Sequence, residues 1–184
     1  MNALQSILLY APQETVQTGA GALPCALQLA ARHGARLTAL VFDVQVTGPE
    51  AARPDQAAVV AEAAAAAGID VAVVTTHSHA IGVHEAVAEH VRLHDLVVTG
   101  TDDRGLLSER QVAEYLLFES GRPVLVVPPG AATLNVKRVA VAWDDSRGSA
   151  RALADALPML PSDGELVFLS LPDDKAIELG LTEE

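Results

Sequence analysis

Aromatic residues and cysteine are scarce in this 184-residue sequence. Phe, Trp and Tyr together make up 3% of it, whereas apolar residues make up 50%, so its core must be built from Ala, Val and Leu. The single cysteine, Cys25, excludes a disulfide within the chain and fits a reducing compartment. The length is enough for one domain, or for one domain and a fragment of another.

Positive charge is also scarce. The sequence has 12 Lys and Arg residues against 24 Asp and Glu residues, which gives a formal net charge of −12. An acidic surface repels phosphate backbones and anionic lipid. We therefore expect neither nucleic acid nor a membrane surface as a partner.

No targeting signal is found in the sequence. Residues 1–9 lack the basic region and the long apolar run of a signal peptide. The longest apolar stretch, 57–68, is rich in Ala and is interrupted by Glu62, so we do not expect it to span a bilayer. The expected location is therefore the cytoplasm.

Short apolar runs alternate along the chain with longer Ala-rich patterns of helical period. Strands are predicted at 7–11, 37–42, 69–75, 96–99 and 124–127, and helices at 20–33, 50–67, 83–93 and 106–119. The strands are continuous apolar runs, which is typical of a parallel sheet covered by helices on both faces. The predicted fold class is α/β, a doubly wound, five-stranded parallel sheet built from right-handed βαβ units.

The pattern restarts after a predicted linker at 128–136. A strand is expected at 138–143, a helix at 149–160 and a strand at 165–171, and the two strands resemble 7–11 and 36–42. The second copy of this internal repeat stops after its first βαβ unit. We predict a complete domain at 1–130, a partial repeat at 137–172 and a short acidic tail at 173–184.

The partial repeat has too few elements to bury its own apolar faces. It must pack on the first domain, pack on a second chain, or stay partly disordered. We expect a homodimer, because pairing of two copies covers exposed strand edges. Trp143, the only tryptophan, is expected where the partial repeat meets its neighbour.

Three stretches carry a family pattern. They read Asp-Leu-Val-Val-Thr-Gly at 95–100, Val-Ala-Glu-Tyr-Leu-Leu-Phe-Glu-Ser-Gly-Arg-Pro-Val-Leu-Val-Val-Pro at 112–128, and Arg-Val-Ala-Val-Ala-Trp-Asp-Asp-Ser at 138–146. Together they resemble bacterial tandem universal stress proteins. The resemblance implies a Rossmann-like fold of the adenine-nucleotide-binding type, a cytoplasmic location, dimerisation and a role in stress survival. It implies no reaction, since many members bind ATP and others lack the site.

The family's ATP-binding members carry Gly-x2-Gly-x9-Gly-Ser/Thr after the fourth strand. Here Gly100 and Thr101 keep the start of that motif, but Asp103 stands at the second glycine position, beside Asp102. Two carboxylates would repel a triphosphate, and each pair of like charges ~4 Å apart would cost about 4 kcal/mol at an effective dielectric of ~20. A bridging Mg²⁺ would turn this repulsion into attraction.

The rest of the motif departs further from the family pattern. Arg110 and Gln111 replace the final Gly-Ser pair, and Pro12 stands where those members have an Asp after the first strand. Arg104 and Gly105 could still contact an anion.

The second copy keeps the Asp, as Asp144, but its phosphate loop would lie in the missing half. A composite site from Asp144 of one chain and Gly100 of another is conceivable. Gly100, Thr101, Arg104, Gly105 and Asp144 are thus the candidate cofactor-binding residues of a degenerate ATP motif, in which we predict no functional ATP site.

The histidine and aspartate pairs of the sequence give weaker evidence for a binding site. His90 and His94 share a helix face at i, i+4, a spacing that can bind Zn²⁺, but helix packing should turn them to solvent or to the helix end. The aspartate pairs at 102–103 and 144–145 could hold a divalent cation, but such residues more often accept N–H bonds in loops. We predict no metal site.

Nucleophilic catalysis has no motif support either. No Gly-x-Ser-x-Gly turn is present, and Ser146 is interpreted as a helix N-cap. Cys25 lies in an Ala/Leu-rich helix without a nearby cation and is interpreted as a core residue.

The sequence therefore predicts a stress-response binding or regulatory module that acts through protein contacts, with no cofactor and no enzymatic activity. The alternative is a nucleotide-binding switch that uses ATP with Mg²⁺ and hydrolyses it weakly at most. The protein partners are not predicted beyond a homodimer.

Overall fold

The computed structural model describes residues 4–12, 21–43, 55–77, 83–103, 108–128, 130–131 and 133–170. The chain divides into two compact units. The first unit is Ala3–Leu134, and the second unit is Asn135–Glu184 together with Met1–Asn2. The predicted acidic tail at 173–184 lies outside the described residues.

The first unit is a five-stranded parallel sheet with four described helices. The strands are β1 Ser6–Ala11, β2 Arg36–Asp43, β3 Val71–His77, β4 Leu96–Thr99 and β5 Val124–Val126. The helices are α1 Ala22–His33, α2 Gln56–Ala66, α3 Val83–Arg92 and α4 Glu109–Glu119. The strand order is β3-β2-β1-β4-β5, and every neighbouring pair is parallel. The predicted fold class is thereby confirmed.

Helices cover both faces of this sheet. Ile7 and Leu9 of β1 pack into a cluster with α1 and α2, whereas Leu8 and Tyr10 pack into a second cluster with α3 and α4. Successive side chains of a strand point to opposite faces, so one apolar strand supplies both clusters. β1 is almost wholly buried and β4 wholly so, as expected for central strands with continuous apolar sequence.

Polar caps and glycines set the ends of the helices. Gly34 has φ 61° and ends α1 in the left-handed conformation. The side chain of Asp55 accepts a hydrogen bond from the N–H of Ala58 and begins α2. The predicted start of this helix at residue 50 lies outside the described residues, as do residues 106–107 of the helix that becomes α4.

The second unit contains one βαβ motif. Strands β6 Arg138–Ala142 and β7 Glu165–Leu169 are parallel, and α5 Arg147–Ala156 lies between them in sequence, followed by a 3₁₀ turn at Leu157–Met159. The hydroxyl of Ser146 accepts the N–H of Ser149 at 3.1 Å, so the predicted N-cap is confirmed. The helix begins two residues before the predicted start at 149, because the cap precedes its first turn.

Among the described helices of both units, none is long and apolar enough to cross a membrane.

Candidate functional site

The candidate site lies where the strand order reverses direction. From β1 the chain builds β2 and β3 on one side, and it then builds β4 and β5 on the other. In open parallel sheets, ligands bind at the carboxyl ends of the strands at such a switch point. Here the point lies between β1 and β4, and Gly100 and Thr101 directly follow β4.

The side chain of Glu109 occupies this position. Glu109 is the first residue of α4 and is only 2% exposed. Its Oε2 accepts a hydrogen bond of 2.9 Å from the backbone N–H of Asp102. A Cβ at Gly100 would overlap the Glu109 carboxylate. Glycine at this position therefore allows a buried carboxylate to lie against the backbone of the loop.

The start of α4 stabilises the buried carboxylate of Glu109. The positive end of a helix dipole stabilises an anion near the first turn. Ser108 caps α4 by accepting the N–H of Gln111 at 3.1 Å. Backbone N–H groups of a strand–loop–helix junction are also those that hold phosphate in nucleotide sites. In this protein the carboxylate of Glu109 accepts a hydrogen bond from one backbone N–H of this junction, that of Asp102.

Tyr10 and Thr99 are buried close to this junction. Both are 0% exposed, and Tyr10 packs against Phe42 with ring centroids 5.9 Å apart. Burial, and then the charge of Glu109, raise the pKa of Tyr10 far above its usual value, so the phenol stays neutral. The hydroxyl of Thr99 has no hydrogen-bond partner among the described residues. Glu109 thus places a carboxylate close to two buried hydroxyl groups.

The exposed side of the junction holds further charges. Arg110 pairs with Asp103 at 3.3 Å and with Glu114 at 3.1 Å. All three side chains are about 60% exposed, so solvent screens these pairs and they contribute little to stability. Asp103 is therefore held by a cation of its own chain.

Two of the five predicted cofactor-binding residues are described at this junction. Gly100 is buried and Thr101 is partly buried. Arg104 and Gly105 lie outside the described residues. Asp144 belongs to the second unit, where its Oδ1 accepts the N–H of Ser146 at 3.0 Å.

Glu109 was not among the predicted site residues. The sequence places it inside a helix predicted from residue 106, where an acidic residue is expected to face solvent. The usable signal was Ser108, since an N-cap there makes Glu109 the first helical residue, next to the loop after β4.

The second unit uses its aspartate pair within the turn after β6. The indole Nε1–H of Trp143 donates to Oδ1 of Asp145 at 2.6 Å. Asp145 has φ 58°, a left-handed conformation that Asp tolerates better than most residues. The Trp143 ring meets Phe168 of β7 edge-on, with centroids 5.5 Å apart. The contacts of both aspartates are thus those of a structured turn.

The remaining candidates are held by structural contacts. Nδ1 of His94 lies 2.8 Å from the carbonyl oxygen of His90, and its Nε2 lies 3.0 Å from Oγ1 of Thr38. Cys25 is 0% exposed and burial raises the pKa of its thiol, which confirms its interpretation as a core residue. Within the described ranges, no three His, Cys, Asp or Glu side chains are grouped as a metal site requires.

Comparison with known proteins gives similarity only at the level of solved structures. No profile of a known protein family matches the sequence, and no curated protein matches it either. A universal stress protein solved in complex with cAMP is 18% identical, with a TM-score of 0.48, over 68% of this chain and 97% of that chain.

Two further solved structures have similar identities, TM-scores and coverages. A protein of the universal stress protein family from Burkholderia pseudomallei is 22% identical, with a TM-score of 0.46, over 67% of this chain and 96% of that chain. Universal stress protein UspA from Lactobacillus plantarum is 18% identical, with a TM-score of 0.45, over 69% and 99%. All three of these solved structures are universal stress proteins.

Proposed function

We propose that this chain is a stress-response module of the universal stress protein type that acts through protein contacts, forms a homodimer and catalyses no reaction. The observation that carries the proposal is the exposure of large apolar side chains at one end of the first unit. Phe118 of α4 is 85% exposed, its neighbour Leu117 is 59% exposed, and Leu93 is 77% exposed. We call these three residues the α3–α4 apolar surface.

Hydrogen bonds bring the three residues to the same region. The guanidinium of Arg92 donates to the carbonyl of Glu119 at 3.0 Å, and Arg122 donates to the carbonyl of Arg92 at 2.9 Å. Leu93 follows Arg92 in sequence, and Phe118 precedes Glu119. The ends of α3 and α4 are therefore tied together, and the large apolar side chains exposed near them offer a contact surface for another protein.

The edge of the sheet supports pairing of two copies. β5 is a terminal strand of the described sheet, where it pairs with β4, and its Val126 is 39% exposed. An edge strand presents unpaired N–H and C=O groups to another chain. A two-fold dimer would use the same surface on both copies and would cover this edge. The net charge of −12 disfavours nucleic acid and anionic membranes as alternative partners.

We also propose that ATP is not a physiological ligand. The buried Glu109 carboxylate at the switch point would repel a phosphate group brought to the same place. A nucleotide-binding switch is the alternative. The retained Gly100 does not by itself favour that alternative, because its packing against Glu109 already requires glycine. The cytoplasmic location stays a prediction from the sequence.

Light scattering after size-exclusion chromatography tests the dimer. We expect the wild type to be dimeric at micromolar concentration, and Phe118→Asp to raise the dimer Kd at least about 30-fold, as loss of a buried aromatic anchor does. Ala65→Asp is the matched control, because Ala65 is exposed on α2, on the other face of the sheet. A wild type that is monomeric at about 100 μM would contradict the proposal.

Nucleotide release and thermal shift test the absence of an ATP site. The purified protein is denatured and assayed for released nucleotide, and its unfolding is followed with increasing ATP and Mg²⁺. A ligand that binds the native state raises Tm in a saturable way. We expect no released nucleotide and no rise, and a saturable rise would favour the switch.

A further inference from the structure

We infer that Glu109 acts as an internal anion that closes an anion-binding position at the β1–β4 switch point, and that removal of its charge opens this position to phosphate groups. The inference rests on the proposed absence of a working nucleotide site in the natural sequence. It attributes the absence of a working nucleotide site to the side chain of Glu109.

The backbone around Glu109 has the form of an anion site. β4 ends at Thr99, the loop begins with Gly100, and α4 begins after the N-cap Ser108. The N–H of Asp102 donates to the Glu109 carboxylate at 2.9 Å, so the junction already binds an oxyanion. A side chain at Gly100 would exclude that oxyanion, as it would exclude a phosphate.

The described surroundings of the Glu109 carboxylate favour an anion. α4 has 11 residues, and the positive end of its dipole meets the Glu109 side chain. Tyr10 and Thr99 supply neutral hydroxyl groups, both fully buried. By strand alternation, Thr99 points to the same face as Val97, which packs with α4. Its hydroxyl has no hydrogen-bond partner in the described part of the chain.

Glu109 and a phosphate cannot share the position. Both would use the same N–H donor, and two negative charges at contact distance repel strongly where little water screens them. Asp102 and Asp103 add negative charge, but Asp103 is exposed and is paired with Arg110. Of the acidic side chains described at the junction, Glu109 is the buried one, so its charge is the least screened by solvent.

The test compares two substitutions of Glu109 with a matched control. Glu109→Gln keeps the size of the side chain and an oxygen that can accept the Asp102 N–H, so it should stay folded. Glu109→Ala removes the charge and also clears the space. Glu114→Gln changes the net charge equally, but on the exposed side of α4. Far-ultraviolet circular dichroism and cooperative thermal unfolding establish that each variant is folded.

Binding of inorganic pyrophosphate and of ATP, each with and without Mg²⁺, is then measured by calorimetry and by thermal shift on the full chain. We expect at least one folded Glu109 variant to bind pyrophosphate saturably, with a Kd at least about tenfold lower than that of the wild type or Glu114→Gln. If both Glu109 variants fold and bind no more tightly than the wild type, the inference is overturned.

The two hypotheses fail in different ways. If the wild type itself binds ATP with Mg²⁺ saturably, the proposed absence of an ATP site is wrong. If neither the wild type nor the Glu109 variants bind any of these ligands, that absence stands and the role of Glu109 as the closing group is refuted.

Discussion

Ser6 and Asp95 join the starts of β1 and β4 by hydrogen bonds in both directions. Oδ2 of Asp95 accepts the N–H of Ser6 at 2.9 Å and its hydroxyl at 3.1 Å. The N–H of Asp95 donates to the carbonyl of Ser6 at 3.0 Å and to its Oγ at 3.2 Å. The two strands that flank the switch point are thus held together at their amino ends, away from the candidate site.

Asp95 predicts a pH dependence of stability. Burial opposes its ionisation, yet hydrogen bonds from Gln5 and Ser6 and the charge of Arg122 hold the pKa of Asp95 below the usual 3.8. A lowered pKa in the folded state adds stability above pH 4, and this is lost as the pH falls through the lowered value. We expect Asp95→Asn to lower the free energy of unfolding by about 1–3 kcal/mol at pH 7.

Urea unfolding of the wild type and of Asp95→Asn over pH 2 to 7 measures this effect. The difference in the free energy of unfolding between the two proteins should narrow below pH ~4, where the carboxyl is protonated first in the unfolded wild type and, at still lower pH, in the folded state. Asp70→Asn is the control, since Asp70 is exposed just before β3. A difference that is the same at every pH would refute the electrostatic explanation.

Gly100 predicts a coupling with Glu109. A methyl group at residue 100 meets the buried carboxylate, so we expect Gly100→Ala to destabilise the protein by about 1–3 kcal/mol. In the background of Glu109→Ala the same substitution should cost less, because the obstructing group is gone. Chemical denaturation of the four proteins of this double-mutant cycle gives the coupling energy. Additive effects would mean that the two residues do not compete for space.

Cys25 predicts slow thiol chemistry in the folded protein. The side chain is fully buried and burial raises its pKa, so little thiolate is present and no reagent reaches it. Labelling with a disulfide reagent at pH 8 should be at least about 100-fold slower in the native state than in urea, since it requires local or global opening. Because the chain has one cysteine, the signal has one source. Fast labelling of the native protein would contradict the assignment to the core.

Trp143 reports on the packing of the second unit. Its ring lies edge-on to Phe168, an arrangement worth about 0.5–1.5 kcal/mol beyond the buried area. We expect Phe168→Ala to shift the fluorescence of this only tryptophan to longer wavelength and to lower the unfolding midpoint of the second unit. Phe118→Ala in the first unit is the matched control, and it should leave the emission unchanged if the shift comes from the Phe168 contact.

Much of the fold was predictable from the periods of the sequence. The run at 96–99 is continuous and apolar, and it is a buried strand with the predicted bounds. Ser146 was interpreted as a helix cap and has that geometry, because a capping hydroxyl is a local property. Several other element ends differ by one or two residues, and the helix predicted to end at 160 ends at Ala156 and is followed by a 3₁₀ turn. Tertiary contacts decide how far a strand pairs or a helix continues.

The site was predictable only in part. Gly100 was singled out for its place in a motif, and it does lie at the switch point, but what fills its open side could not be inferred from the motif. Trp143 packs edge-on against Phe168 of its own unit, a contact that the sequence pattern did not indicate, and its expected place at a contact with a neighbour stays a prediction. The group that lies beside Gly100 and the ring that contacts Trp143 both depend on which strand or helix packs next to these residues.

The sequence by itself determined the class of fold and the order of its elements, because apolar runs, helical periods and caps are encoded within short stretches. Only the tertiary structure decided that Glu109 is buried. Its carboxylate reaches Gly100 because α4 docks on the sheet beside β4, which brings the helix start back against the loop. A local pattern leaves an acidic residue in a first helical turn facing water, and only packing places it inside.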